Sequence, residues 1–160
     1  MKIAIIADTH NNWKNFEKAI NWINNEEIQL ILHCGDICSQ EIIDDALSLY
    51  KGKIMFVKGN GDHGLDLPGS LELEFNNKKI AFVHFPEIAK KLAQTGKFDL
   101  VFYGHTHRPW DEKVVMHPKP GEKETHMINP GELAGQFYKP TFAVYNTETG
   151  NLELKILETL

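Results

Sequence analysis

The sequence of 160 residues predicts an α/β protein in which two β-sheets are covered by helices. Short apolar runs alternate with segments of helical periodicity over residues 3–103, as in strand–helix–strand units. After residue 68, apolar and polar residues begin to alternate one by one, which is typical of antiparallel strands with one buried face. No repeat, low-complexity tract or linker interrupts the sequence, so we expect a single domain over residues 1–160.

Five short apolar runs in the first part of the chain are each followed by polar residues or glycine. Their length and composition predict buried strands. They are Ile3–Ala7, Leu30–His33, Ile54–Val57, Ile80–Val83 and Leu100–Tyr103.

Three segments between these runs repeat apolar residues every three or four positions, and this spacing predicts amphipathic helices. They are Trp13–Asn24, which Asn12 can cap, Glu41–Leu49 and Glu87–Thr95.

The later strands are predicted from alternation and turn residues. Leu71, Leu73 and Phe75 lead into a turn at Asn76 and Asn77, which predicts a hairpin. The remaining predicted strands are Lys113–Met116 and Thr125–Ile128 around a turn at Pro118–Glu124, then Thr141–Tyr145 and Leu152–Leu157.

Charge and hydropathy exclude several classes of partner. Seventeen basic against 22 acidic residues give a net charge of −5, which argues against general binding to nucleic acid or anionic membranes. No apolar run is long enough for a signal-peptide core or a bilayer span, so we expect a cytoplasmic protein. Cys34 and Cys38 lack a second cysteine pair that would complete a zinc site, and we expect both to be reduced and structural.

Polar residues with metal-binding side chains follow all five early strands. They are Asp8, His10, Asp36, Asn60, His84, His105 and His107. Because the carboxyl ends of strands in open α/β sheets converge on the ligand site, we expect these side chains to meet. Two carboxylates, one amide oxygen and four imidazoles suit divalent Mn, Fe, Zn or Ni.

Seven ligands are too many for one tetrahedral ion but suit two ions that share a carboxylate. Asp36 lies in the middle of the set and is the natural bridge. Two divalent ions bring about four positive charges, of which two aspartates cancel two, so the site would attract phosphate despite the acidic composition.

These residues resemble the signature of the calcineurin-like metallophosphoesterases. The matching blocks are Asp8-Thr9-His10, Gly35-Asp36, Gly59-Asn60-Gly61-Asp62, His84 and Gly104-His105-Thr106-His107. The later Asn129-Pro130-Gly131-Glu132 is similar to a turn in the family's small phosphodiesterase branch, which includes archaeal-type phosphodiesterases.

The resemblance implies a four-layer αββα sandwich, that is, two mixed β-sheets flanked by helices. It also implies one metal ion on Asp8, His10, Asp36 and His107 and a second on Asp36, Asn60, His84 and His105. The implied reaction is hydrolysis of a small phosphodiester by a hydroxide that bridges the two metals. Only about twenty residues separate successive blocks, too few for a lid domain, so we expect an open site.

Two departures from the family pattern bear on the reaction. Gly61 stands where the family usually has a histidine near the leaving group, so His63 is the candidate substitute for the general acid. Phe85-Pro86 replaces a common Gly-His and alters a wall of the pocket.

Two alternative functions follow from other features. One is a noncatalytic, metal-binding protein-interaction scaffold of the same fold, similar to a retromer subunit; seven competent ligands favour the enzyme instead. The other is a dinucleotide fold, suggested by the G-x-G-x-x-G of residues 59–64, but Pro68 and Gly69 prevent the helix that this motif needs. A homo-oligomer is compatible with the sequence.

Several further residues keep two interpretations. Asp62 is either a residue that orients a ligand or a turn aspartate, and Arg108 either clamps a phosphate oxygen or lies on the surface. Trp13, Trp22 and Trp110 could stack a base, although the spacing of Trp22 favours packing. We expect His33 to be packed and His117 and His126 to face solvent.

Overall fold

The computed structural model describes residues 1–115 and 124–160. Within this part of the chain, ten strands and three helices alternate in an α/β order. They are β1 Lys2–Ile6, α1 Trp13–Asn25, β2 Leu30–His33, α2 Gln40–Leu49, β3 Lys53–Phe56, β4 Ser70–Phe75, β5 Lys78–Val83, α3 Pro86–Gln94, β6 Leu100–Phe102, β7 Trp110–Val115, β8 Glu124–Asn129, β9 Thr141–Asn146 and β10 Leu152–Ile156.

The strands form two mixed sheets of five. The first sheet has the order β10-β9-β1-β2-β3, and the second has the order β4-β5-β6-β8-β7. In the first sheet, β1, β2 and β3 are parallel while β9 runs antiparallel to both of its neighbours. In the second, β5, β6 and β8 are parallel and the edge strands β4 and β7 are antiparallel to their neighbours.

Three apolar clusters hold four layers together. Alternate residues of β1 face opposite sides of the first sheet, so Ile6 packs against α1 and α2 whereas Ile5 packs against the second sheet. On the far side of the second sheet, Val83 and Val101 pack against Ala89 of α3. The layers are therefore helices, sheet, sheet and helix, which confirms the predicted αββα sandwich.

The helices form where the sequence predicts them. In α1 the buried side chains recur at helical spacing, and the Asn12 side chain accepts a hydrogen bond from the backbone N–H of Asn15 at 3.2 Å. Helix α3 begins with Pro86, whose missing N–H needs no partner in the first turn.

Predicted and observed element ends differ by a few residues. The largest difference is at β7, which begins at Trp110 rather than at Lys113. The chain beyond Ile156 forms a short 3₁₀ turn over Leu157–Thr159 instead of continuing the last strand. Met116, His117 and all of the predicted turn except Glu124 lie outside the described residues.

Among the described residues, every helix is too short or too polar to span a bilayer.

Candidate metal centre

The structure brings together the side chains of all seven residues that the sequence predicts as metal ligands. They lie just beyond the carboxyl ends of strands from both sheets: Asp8 and His10 after β1, Asp36 after β2, Asn60 after β3, His84 after β5, and His105 and His107 after β6. The two sheets stack face to face, so loops far apart in sequence meet at one edge of the sandwich.

One group of side chains consists of Asp8, His10 and His107. The Nε2 atoms of His10 and His107 are 3.2 Å apart. Asp8 Oδ1 lies 3.9 Å from Nε2 of His10 and 3.6 Å from Nε2 of His107. These three atoms are close enough to one another to hold a single metal ion.

A second group consists of Asn60, His84 and His105. Asn60 Oδ1 lies 3.0 Å from His84 Nε2 and 2.9 Å from His105 Nδ1. The two imidazole nitrogens are themselves 3.2 Å apart. His105 thus presents Nδ1 to the group, whereas His84 presents Nε2.

Asp36 lies between the two groups. Its Oδ2 atom is 3.6 Å from Nε2 of His10 in the first group and 3.5 Å from Nε2 of His84 in the second. Its other oxygen, Oδ1, accepts a hydrogen bond from the backbone N–H of Gly61 at 2.6 Å. One carboxylate oxygen is therefore fixed by the backbone, and the other is directed between the two groups.

The hydrogen bonds around the centre test whether these side chains fit metal ions. His84 Nδ1 donates to the carbonyl oxygen of Cys34 at 2.8 Å, so the ring proton is on Nδ1 and Nε2 carries a lone pair. That lone pair faces Asn60 Oδ1, which is also an acceptor. Two acceptors at this distance repel each other unless a cation lies between them, so the donor set fits a bound metal.

The carboxylates of Asp8 and Asp36 also fit bound metal ions. Asp8 and Asp36 are both buried, and burial followed by the neighbouring charge of Asp36 raises the pKa of Asp8 to about 8. Burial and a like charge nearby thus disfavour ionisation of Asp8, and a nearby divalent cation reverses that effect. The residues therefore fit divalent metal ions.

Glu132 orients His107 and is a residue that the sequence reasoning missed. It is fully buried, and its Oε2 accepts a hydrogen bond from His107 Nδ1 at 2.9 Å. Its Oε1 accepts from the backbone N–H groups of Phe137 and Tyr138. A carboxylate on the far nitrogen of a ligating histidine fixes the ring and raises its basicity. The sequence signal was the Asn129-Pro130-Gly131-Glu132 block, which gave Glu132 no role of its own.

Asp62 is buried and joins the loops that carry Asp36 and Asn60. Its Oδ2 accepts hydrogen bonds from the N–H groups of Asp36 at 2.9 Å and Gly59 at 2.7 Å, and its Oδ1 accepts from Cys38 N–H at 2.7 Å. Asp62 therefore acts on backbone groups and orients two ligand loops.

The backbone at the centre is strained. Positive φ angles, which residues other than glycine rarely adopt, occur at five of the seven predicted ligands. These are Asp8 at 54°, His10 at 43°, Asp36 at 58°, His105 at 71° and His107 at 61°. Such conformations cost of order 1–3 kcal/mol each and cluster at functional sites.

The structure also shows the surroundings of His63 and Phe85, the residues involved in the two departures from the family pattern. His63 is an exposed residue of the turn that follows Asn60. Phe85 packs against two predicted ligands, with its ring centroid 5.0 Å from that of His84 and 5.1 Å from that of His105.

Arg108 and the tryptophans lie in apolar or stacked environments. The Arg108 guanidinium is 5.9 Å from the ring centroid of Trp110, the first residue of β7, and both residues are exposed. Trp13 packs edge-on against Phe16, and Trp22 packs against Phe142, in agreement with the packing interpretation of Trp22.

Two histidines outside the predicted ligand set are partnered. His33 is buried, as expected, and its Nε2 contacts Thr9 Oγ1 at 2.8 Å. The expectation that His126 faces solvent is wrong: its Nε2 pairs with Asp111 Oδ2 at 3.1 Å and its ring contacts Tyr145. The pairing of β7 with β8 brings Asp111 to this position.

Comparisons with known proteins agree with the fold. The sequence profile of the calcineurin-like phosphoesterase superfamily domain matches residues 1–150. A phosphodiesterase of Methanocaldococcus jannaschii is 29% identical over 175 residues, which cover 99% of this chain and 100% of that protein.

Solved structures show the same fold. A structure described as a novel archaeal phosphodiesterase superposes with a TM-score of 0.84 at 26% identity, covering 98% of this chain and 99% of that chain. Vps29 from Entamoeba histolytica shares the fold, with a TM-score of 0.71 at 21% identity over 97% of each chain.

Proposed function

The chain belongs to the calcineurin-like phosphoesterase superfamily, and from that premise we propose that it is a phosphodiesterase that uses two divalent metal ions to hydrolyse small phosphodiesters. The observation that carries the proposal is the position of Asp36, whose Oδ2 lies 3.6 Å from His10 Nε2 and 3.5 Å from His84 Nε2. A carboxylate between two groups of ligands is what a centre with two metal ions requires.

Each ion would be held by four side chains, with Asp36 common to both. The first set is Asp8, His10, Asp36 and His107; the second is Asp36, Asn60, His84 and His105. Mixed nitrogen and oxygen ligands favour Mn, Ni, Fe or Zn over Mg. When bound, the pair would polarise the phosphate oxygens and supply a nucleophile from water at neutral pH.

The residues of the chain position this centre. Gly61 N–H holds Asp36 Oδ1, which leaves Oδ2 free to bridge. The Cys34 carbonyl and Glu132 keep the ring protons of His84 and His107 on Nδ1, so that both Nε2 atoms remain donors to metal. Asn60 adds a ligand without charge, which preserves the positive surplus that stabilises a phosphorane-like transition state.

Access to the centre supports a diester substrate. Asn60 and His105 are exposed, and Phe137 beside His107 is 74% exposed. An open centre can admit the second substituent of a diester. The phosphodiesterase of Methanocaldococcus jannaschii, similar over nearly the whole of both chains, supports the same substrate class.

Hydrolysis of a chromogenic phosphodiester tests the proposal. The protein is treated with chelator, dialysed, and assayed with bis(p-nitrophenyl) phosphate after adding Mn, Ni, Zn, Fe or Mg separately, with p-nitrophenyl phosphate as the monoester control. We expect no activity after chelation, better recovery with a transition metal than with Mg, and faster cleavage of the diester. Full activity in the presence of chelator would end the proposal.

Thermal unfolding, combined with the hydrolysis assay, separates this enzyme from a metal-binding scaffold. An ion at 100 times its Kd that binds only the folded state contributes about 2.7 kcal/mol, which corresponds to roughly 5–10 °C in Tm for a chain of this size. A rise in Tm with Mn or Zn but no hydrolysis of any phosphoester would indicate the scaffold. The cytoplasmic location remains a prediction from the sequence.

A further inference from the structure

We propose that the chain forms a two-fold symmetric dimer in which the β10 strands of two copies pair antiparallel about Leu154. Strand β10 is the outermost strand of the first sheet, and in the described part of the chain it pairs with β9 alone. The free side of an edge strand presents backbone N–H and C=O groups that another strand can pair with. The side chains of β10 indicate that this other strand is a second β10.

The sequence of β10 is complementary to itself. Its residues in order are Leu152, Glu153, Leu154, Lys155 and Ile156. Antiparallel pairing about Leu154 places Leu154 opposite its own equivalent, Glu153 opposite Lys155 of the second copy, and Leu152 opposite Ile156. A two-fold interface must be complementary to itself, and opposite charges directly across a strand pair are stabilising. The pairing satisfies both conditions, since the Glu153–Lys155 contact is formed twice.

The two charged side chains already lie where this pairing needs them. Lys155 Nζ is 2.7 Å from Glu153 Oε2 and 5.0 Å from the ring centroid of Trp22, so both charges lie on the side of the sheet that α1 covers. In the dimer each ammonium group would have the Glu153 carboxylates of both copies as neighbours. No charge of either sign is then left opposite a like charge.

Leu154 lies on the other side of the sheet and is 46% exposed. It lines a groove of about 360 Å³ between the edges of the two sheets, together with Leu152 and Trp110, which is 52% exposed. Residues directly opposite in a strand pair share one side of the sheet, so the two Leu154 side chains would contact each other at the mouths of the two grooves. The dimer would therefore remove exposed apolar surface from water.

Strand β4 also alternates leucine with charged residues, but its self-pairing would bring like charges together. It is an edge strand of the second sheet and contains Leu71, Glu72, Leu73 and Glu74. Antiparallel pairing of two copies about Leu73 would place Glu72 opposite Glu74, and like charges directly opposite are destabilising. The charges thus oppose self-pairing at β4 and favour it at β10.

Charge exchange tests the pairing directly. The oligomeric mass of the full chain is measured by light scattering and sedimentation for the wild type, Glu153→Lys, Lys155→Glu and the double variant E153K/K155E. Each single change places like charges across both contacts and should weaken dimerisation roughly tenfold or more, whereas the double variant restores opposite charges and should recover it. Asp45→Lys, at an exposed position of α2, is the matched control and should leave the dimer unchanged. Circular dichroism confirms that each variant is folded.

A cross-link locates the two-fold axis without relying on charge. Strand neighbours have Cα–Cα distances of about 4.5–5.5 Å, which a disulfide spans, so Leu154→Cys should form a covalent dimer under mild oxidation. Leu47→Cys, at a similarly exposed position on α2, controls for nonspecific oxidation and for the native cysteines. A monomeric wild type at micromolar concentration would overturn the proposal. So would a dimer that both single charge variants leave intact, or equal cross-linking at positions 154 and 47.

Discussion

The sulfur of Cys38 occupies the space into which any side chain at Gly61 would project. A Cβ atom added to Gly61 would lie 2.8 Å from Cys38 Sγ, closer than real Cβ contacts allow. Similar enzymes carry a histidine at the position of Gly61. This chain lacks that histidine, and Cys38 leaves no space for its side chain. Any general acid for the leaving group must come from elsewhere in the chain or from water.

The missing histidine predicts a steep dependence of rate on the leaving group. General acid catalysis contributes roughly 10² to 10⁴ in rate. Only leaving groups that would depart as unstable anions, that is, those of high pKa, need it. We expect aryl diesters to be cleaved well and alkyl diesters, such as ribose esters, to be cleaved slowly. Rates for a series of diesters with rising leaving-group pKa measure the slope.

The exposed His63 is tested in the same series. If it donates the proton, His63→Ala will slow alkyl diesters and leave aryl diesters unchanged; if water donates it, neither rate will change. A shallow slope in the wild type that persists in His63→Ala would show that another residue is the acid.

Restoring the acid should need two substitutions. Gly61→His alone meets Cys38 Sγ and the carboxylate of Asp36, so we expect reduced metal binding. Adding Cys38→Gly removes the sulfur and suits the positive φ of 73° at that position. We expect the double variant to bind metal and to cleave alkyl diesters faster than the wild type. No difference between the single and double variants in metal content would contradict this account.

The shared position of Asp36 predicts unequal effects of two substitutions on metal content. Asp36→Asn removes the charge common to both ligand groups and should release both ions, whereas Asn60→Ala affects one group and should leave about one ion per chain. Inductively coupled plasma mass spectrometry gives the content, with the exposed Asp66→Asn as control. Wild-type metal content in Asp36→Asn would exclude the bridge.

Glu132→Gln should weaken metal binding without unfolding the protein. A glutamine amide facing His107 Nδ1 donates rather than accepts, which drives the ring proton to Nε2, the atom that faces Asp8 and His10. Loss of such a partner typically costs 10- to 100-fold in metal affinity. Metal titration measures the affinity, and the exposed Glu124→Gln should behave as the wild type. Unchanged metal affinity with lowered stability would mean that Glu132 is only structural.

His33 should make the protein less stable in mild acid. Burial lowers the pKa of His33 to about 4 from an ordinary value of 6.5, against a smaller opposing effect of the Asp62 charge. The unfolded chain therefore binds a proton that the folded chain does not, so stability is lost as the pH falls from about 6.5 to about 4. Gly35 N–H donates to His33 Nδ1, which leaves Nε2 to donate to Thr9.

Urea unfolding at pH 5 and pH 7.5 checks this prediction on chelated protein. His33→Gln can keep a hydrogen bond to Thr9 but cannot take up a proton, so it should lose less stability than the wild type between these two pH values. An equal loss in both proteins would assign the acid sensitivity to other groups.

The sequence was sufficient to predict which side chains come together at the candidate centre because each one follows a strand, and the ends of strands converge by geometry alone. Glu132 escaped this reasoning because it acts through the far nitrogen of His107, a contact made 25 residues away along the chain. The solvent-facing prediction for His126 failed because the pairing of β7 with β8 places Asp111 diagonally across from His126, where the two side chains bond.

The backbone of the site could not be predicted either. Side chains such as aspartate and histidine do not by themselves favour positive φ, and the conformations at Asp8 and His107 result from the surrounding loops. Local sequence preferences therefore describe the strands and helices better than the residues that carry the chemistry.

Each candidate ligand set takes side chains from both sheets. Asp8, His10 and Asp36 extend from the first sheet to meet His107 of the second, and Asn60 with Asp36 meets His84 and His105 in the same way. When ions are bound, coordinate bonds would join two layers that elsewhere are held mainly by apolar contacts. Bound metal would then cross-link the two sheets at this edge in addition to serving the reaction. The force needed to separate the sheets there, and the rate of proteolysis at this edge, would both depend on whether metal is present.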